Sequence, residues 1–285
     1  MCHFERSEEP TQHLTRPFAP LRVTIHLLFV FLFVINAQTQ TDTAFSFRTI
    51  KNNAFTLGEK LVFDIDYGFI TAGVAIMEIP TIEMLNEYQC YKIAVRVRSA
   101  KSFDWIYTVR DSYFTFVDVK GIFPWQFEQH IREGGYRRDF IAEFDQRYHF
   151  AITKVNDELK TISIPEYVHD IVSAFYFCRT VDFSTMKPND EIHLQNFYKD
   201  STYTLDVKYF GKEDIDVGAG EFRTLKIQPI IREGGLFKNS GNMTVWLSDD
   251  ENKIPVKMSS KIIIGSIVAE LQQYGGIKNP MKAKK

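Results

Sequence analysis

The stretch FEQHIREGGYRRDFIA, Phe127–Ala142, decides the fold. If Gly134 and Gly135 form a two-residue turn, Glu133 faces Tyr136, Ile131 faces Arg138, Gln129 faces Phe140 and Phe127 faces Ala142. These pairs share one side of a hairpin, and Trp125 and Phe144 extend it. Arg132, Arg137, His130, Asp139 and Glu128 fall on the other side. Side chains alternate along a strand, so a slip of one residue would turn the whole apolar set outward. A Gly-Gly pair also suits the primed turns that match strand twist. The stretch therefore reads as an antiparallel hairpin.

The pentapeptide IREGG recurs at 231–235, where the same register fails. It would set Arg232 against Phe237 and Ile231 against Lys238, and Pro229 interrupts the strand, which favours an edge or a bulge. A longer loop, EGGLFKNSGN, fits better, so the two copies are unrelated turns. Elsewhere KLVFDIDYGF, YKIAVRVRS, YFTFVDV, DFIAEFD, TYTLDVKYF, RTLKIQPII, NMTVWLS, IPVKMSS and SIVAELQQY read as strands separated by turn residues. PEYVHDIVSAFYFCRT differs. Val168, Ile171, Val172, Phe175 and Cys178 recur at helical spacing behind Pro165, which predicts a helix over about 166–180 with Phe175 on its buried face. The expected fold is mainly β, a single antiparallel meander curled into a large barrel or half-barrel with that one helix packed on it. No Pro/Ser-rich linker divides the chain, which predicts one domain over 38–277 and a basic, unpacked tail over 278–285.

Ahead of the domain, Arg22 precedes the apolar run VTIHLLFVFLFVINA and an abrupt change to QTQTDT. The run is shorter than the ~20 residues that span a bilayer. It reads as a secretory signal peptide over 1–37, cleaved before Gln38, and predicts a periplasmic or envelope-associated protein. With 285 residues, 45% of them hydrophobic, the chain can bury a full core, and a net charge of −2 gives no reason to expect nucleic acid as a partner. Export permits disulfides, but alternation places Cys90 on the polar face of its strand and Cys178 on the apolar stripe of the helix, so no bridge is expected.

Several segments in consistent order, among them LGEKLVFDIDYGFITAG, SFDWIYTVRDSY, HIREGGYRRD, HDIVSAFYFCRT and IIIGSIVAELQQY, resemble the exported bacterial family catalogued as domain of unknown function 3108. The resemblance runs from about Leu57 to Tyr274. It implies export and a large β-meander curled into a barrel, similar to envelope lipoproteins linked to capsule export. It implies no chemistry. The chain departs from its lipoprotein relatives in having no Cys after the apolar run.

The residues themselves point away from catalysis. His130, His149, His169 and His193 are widely separated, with no metal-ligand spacing, and Cys178 has no positioned base, so no catalytic residue, metal or cofactor is expected. SFDWIYTVRDSY gathers Trp105, Arg110 and Asp111; a buried Asp111 needs a partner, and its ion pair would either orient a ligand head group or close a barrel end. Two loops carry apolar residues where polar ones are expected, Phe123 and Trp125 in GIFPW and Leu236 and Phe237 in GGLFKNSG. They predict either plugs over the barrel mouth or contacts with a membrane or partner. The expectation is a non-enzymatic envelope protein that binds a hydrophobic or amphiphilic, lipid-like ligand. The alternative is an accessory protein that docks an envelope protein assembly through its apolar loops.

Overall fold

The structure is a computed structural model and describes residues 46–155, 157–231, 243–262 and 265–285. Eight strands precede the helix: β1 (Lys60–Tyr67), β2 (Ile70–Leu85), β3 (Tyr88–Ser99), β4 (Arg110–Asp118), β5 (Pro124–Glu133), β6 (Tyr136–Asp145), β7 (Phe150–Val155) and β8 (Glu158–Ser163). The helix α1 (Ile171–Thr180) is followed by β9 (Glu191–Tyr198), β10 (Ser201–Val217), β11 (Gly220–Ile231), β12 (Met243–Ser248), β13 (Pro255–Lys261) and β14 (Ser266–Gly275). The hairpin β5–β6 forms in the expected register, with Glu133 opposite Tyr136 and Phe127 opposite Ala142. Gly134 supplies the left-handed φ, +53°, that its two-residue turn requires. Phe127, Phe140, Ala142 and Phe144 enter the main core. Trp125 leaves that face, because the β4–β5 register shifts beside it, and joins a separate aromatic cluster.

All fourteen strands form one antiparallel sheet, ordered β8 to β1 and then β14 to β9. Sequential hairpins account for every ladder except β1–β14, which pairs the two chain-terminal strands. Register shifts in β1, β2, β4, β10 and β12 supply the bends that curl the sheet. The ring is not closed by a β8–β9 ladder. Instead the segment before α1 lies in the gap: His169 N–H donates to Gln195 O, Phe197 N–H donates to His169 O, and Gln146 Nε2 donates to Val168 O. A salt bridge from Lys160 on β8 to Asp200 after β9 spans the same seam at 3.1 Å.

Three expectations are corrected. The helix begins at 171 rather than 166, because Tyr167 has φ +53° and Asp170 is the N-cap, accepting from Val172 N–H and Ser173 N–H. The basic tail is packed: Ala283 is buried, Asn279 N–H donates to Asn252 Oδ1, and Lys285 N–H donates to Glu221 O, so Ser46–Lys285 is one unit. Cys90 is buried, because Phe116, Phe123 and Trp125 cover its strand there, and it and Cys178 are both free thiols.

Candidate functional site

In a meander, successive turns alternate between the two ends of the curled sheet. The turns β2–β3, β4–β5, β6–β7 and β12–β13 share one end with both termini of the described chain. That end is packed. Tyr88 stacks on Trp125 at 4.3 Å between centroids, and Phe47 and Phe123 meet Trp125 edge-on. Trp125 Nε1 donates to Asp118 Oδ2 at 3.2 Å. Arg48 lies between the Tyr167 and Phe177 rings and donates to Gly121 O and Ile122 O, and its burial lowers its pKa to about 10. Its Nη2 also lies 3.1 Å from His169 Nε2. A guanidinium only donates, so Nε2 accepts, and the imidazole proton sits on Nδ1, facing Ser173 Oγ. Burial, helped by Arg48, holds His169 well below its ordinary pKa and keeps it neutral.

The helix crosses the inside of the sheet from the seam to the opposite wall. At its start Asp170 accepts from Thr115 Oγ1 of β4 at 2.6 Å. At its end Arg179 makes a bidentate pair with Glu59, both bonds 2.7 Å, and donates to Asn252 O. The pair is fully buried. Burial works against the Arg179 charge, and Glu59 more than offsets it. Tyr176 and Phe55 flank the guanidinium.

On the other side of α1 the interior is hollow. Three lobes of about 110, 360 and 500 Å³ share walls. Ile171 and Phe175 of α1 line the first two, and Ile65, Val97 and Tyr113 line the last two. Nearly all of the lining is apolar. Phe175 is half-buried: it packs against both core clusters, as its expected place on the buried face requires, and it also lines the cavity, so the core does not cover it completely. Val95, Val97 and Met258 are likewise only partly covered. Asn196 belongs to the wall of the smallest lobe, and its Oδ1 is buried without a hydrogen-bond partner.

The largest lobe ends on a carboxyl pair. Asp111, 6% exposed, accepts from Arg132 N–H at 2.8 Å and lies beside Glu133. Burial and then Asp111 raise the Glu133 pKa, and burial with Asp111 pushes the Tyr113 phenol up to about 12. Asp111 and Tyr113, two residues apart on β4, line this lobe from one face of the strand. Arg110 is not the partner of Asp111. It pairs with Asp104 at 2.6 Å, and Asp104 also accepts from Ser99 Oγ, which latches the β3–β4 loop.

The other candidate residues separate sharply. Phe123 and Trp125 are buried at the packed end, where they meet side chains brought from Phe47, Tyr88 and Tyr167, and Trp125 also lines a surface pocket of about 250 Å³ with Leu85 and Phe150. Trp105 is 82% exposed and does not line the cavity. Leu236 and Phe237 lie outside the described residues. Sequence spacing also missed one cluster, Glu191, His193 and Asp206, because Asp206 comes from the facing strand; His193 Nδ1 lies 2.6 Å from it, away from the cavity lining.

A curled antiparallel sheet around one helix, hollow on one side of it, defines a barrel-like protein with an internal cavity. The chain belongs to the family described as protein of unknown function DUF3108, whose model matches residues 62–272. No curated protein matches it significantly. Among solved structures it is similar to a β-barrel-like protein of domain of unknown function DUF1849 from Brucella abortus. Identity is 10%, 76% of this chain and 97% of that chain are covered, and the TM-score is 0.51. A candidate lipoprotein from Parabacteroides distasonis also matches, at 12% identity over 81% of this chain and 100% of that one, with a TM-score of 0.33.

Proposed function

We propose that this chain is an exported envelope protein that binds an amphiphilic molecule in the cavity beside α1 without transforming it. One observation carries the reading: a sheltered apolar cavity of several hundred Å³ remains where a filled core would have buried Val95, Val97, Phe175 and Met258. Pockets of that size and lining suit a small apolar ligand body. The carboxyl pair at one end makes an amphiphile a better fit than a pure hydrocarbon. The described lining residues include no His, and burial pushes the Cys178 thiol up to about 12, so the cavity offers no activated nucleophile. Export rests on the apolar leader before Gln38.

The test is native mass spectrometry of protein purified without detergent. The expected result is a bound amphiphile at close to one per chain, released on denaturation. Protein free of small molecules, and unable to take up an added naphthylamine dye, would contradict the reading.

A further inference from the structure

The turns β1–β2, β3–β4, β5–β6, β9–β10 and β13–β14 gather at the end of the sheet where the cavity opens. Tyr67, Phe103, Tyr107 and Ile267 line the mouth. Beyond them, pointing away from the core, stand Phe69, Ile70, Trp105 and Ile106, all exposed. Single exposed apolar residues are ordinary, and the packed end has Leu57, Met84 and Tyr148. Four of them on the β1–β2 and β3–β4 tips, beside the partly exposed Tyr67, Tyr107 and Ile267 of the mouth, are different, since exposed apolar surface gathered in one place marks interaction.

The loop that carries Trp105 is held in place. Asp104 is latched by Arg110 and Ser99, Tyr107 N–H donates to Phe103 O, and Gly134 N–H donates to Thr108 O. A fixed loop that presents an indole to solvent gains nothing for its own fold from that side chain. The charges of the same end complete the pattern. Asp104 and Asp200 are paired with Arg110 and Lys160, and Lys101 also acts on Asp104, while Arg137, Lys199 and Lys261 are exposed on three further hairpins with no acidic partner among the described residues. Aromatic tips with cations around them suit the polar–apolar boundary of an anionic bilayer, where Trp and Tyr sit at headgroup level and basic side chains meet phosphates.

We infer that the open end docks on an anionic lipid bilayer through Phe69, Ile70, Trp105 and Ile106, with the cavity mouth facing the lipid. This rests on the amphiphile-binding reading, because the mouth placed against lipid gives a ligand a path that avoids water. The occupant is the bilayer itself: exposed cations spread over separate hairpins around apolar tips match a continuous plane of phosphates, whereas a protein partner or a second copy of the chain offers acidic groups only at fixed points.

The test is flotation of the protein with vesicles of phosphatidylethanolamine and phosphatidylglycerol, against vesicles of phosphatidylcholine. Wild-type protein is expected to float with the anionic vesicles and to be released at about 1 M salt, where charge is screened. The double substitution Phe69→Ser and Trp105→Ser should lower vesicle binding about tenfold or more, and Lys101→Glu with Arg137→Glu should do the same for the anionic vesicles alone. Uptake of a naphthylamine dye in vesicle-free solution should be unchanged in the Ser variant, since neither residue lines the cavity. No flotation of wild type, or flotation indifferent to both double variants, overturns the inference. So does a wild-type dimer that the Ser variant converts to monomer without any vesicle binding. Vesicle binding that responds as expected while wild type takes up no dye would instead overturn the cavity reading and leave the docking surface standing.

Discussion

The two ends of this barrel are built from similar side chains with opposite outcomes, and Trp125 and Trp105 make the contrast plainest. Trp125 is 7% exposed, stacked on Tyr88, with its indole N–H given to Asp118. Trp105 is 82% exposed on a latched loop. Both lie in short apolar segments next to strand ends. What separates them is who arrives to cover them. Phe47, Tyr88 and Tyr167 come from distant parts of the chain to close over Phe123 and Trp125, while only the ordered turn supports Trp105. An apolar loop is thus a statement about side chains, and its burial is settled by residues far away in sequence.

The largest effect should come from breaking the packed end at its charge. Arg179→Met leaves Glu59 buried without its charge partner, with only the Tyr176 hydroxyl donating to it, and should cost about 3–5 kcal/mol in urea denaturation. A loss below about 1 kcal/mol would show that water reaches this pair and that the end is not sealed. Next is the comparison itself. Trp125→Ala should cost about 3–5 kcal/mol, as large core truncations do, whereas Trp105→Ala should stay within about 0.5 kcal/mol. Equal losses would erase the distinction between the ends. Phe175→Ala is intermediate: the ring is half-buried against a cavity that already exists, so about 1–2 kcal/mol is expected by the same denaturation.

Smaller, and opposite in sign at the two ends, are the pH effects. His169 has a lowered folded pKa, so the unfolded chain takes up its proton first; its contribution to stability is present above the ordinary His pKa of about 6.5 and is lost as pH falls below it. Glu133 has a raised folded pKa, so its contribution is full below the ordinary Glu value of about 4.3 and is lost as pH rises through the folded pKa. Glu133→Gln should therefore gain on wild type as pH rises from about 4 to neutrality. Melting curves across that range check it, and a constant difference would place Glu133 in ordinary solvent.

Much of the fold was legible because period-two alternation reports strand faces directly, and the β5–β6 register followed from one Gly-Gly pair. β2 was not read, because Pro80 breaks its pattern at the point where the ladder shifts between Glu78 and Thr81. The helix start was placed early because Pro165 is a good first-turn residue and nothing local announces the left-handed φ of Tyr167. The cavity was invisible for a physical reason. Val95 and Val97 alternate as they would in a filled core, and whether opposite walls meet depends on curvature set by bulges. Asp111 reads as an acid that, if buried, needs a partner, yet its neighbour Glu133 comes from another strand, beyond any local spacing.

The hollow side of the helix is the central claim, and filling it tests that most directly. Ala269 on β14 lines the cavity opposite Ile65 and Met258. Titration of a naphthylamine dye into wild type and Ala269→Trp, each shown folded by its melting curve, reads the cavity alone. Saturable uptake near one dye per wild-type chain, lost in folded Ala269→Trp, is the predicted result. Equal uptake by both proteins, or none by wild type, would contradict the account.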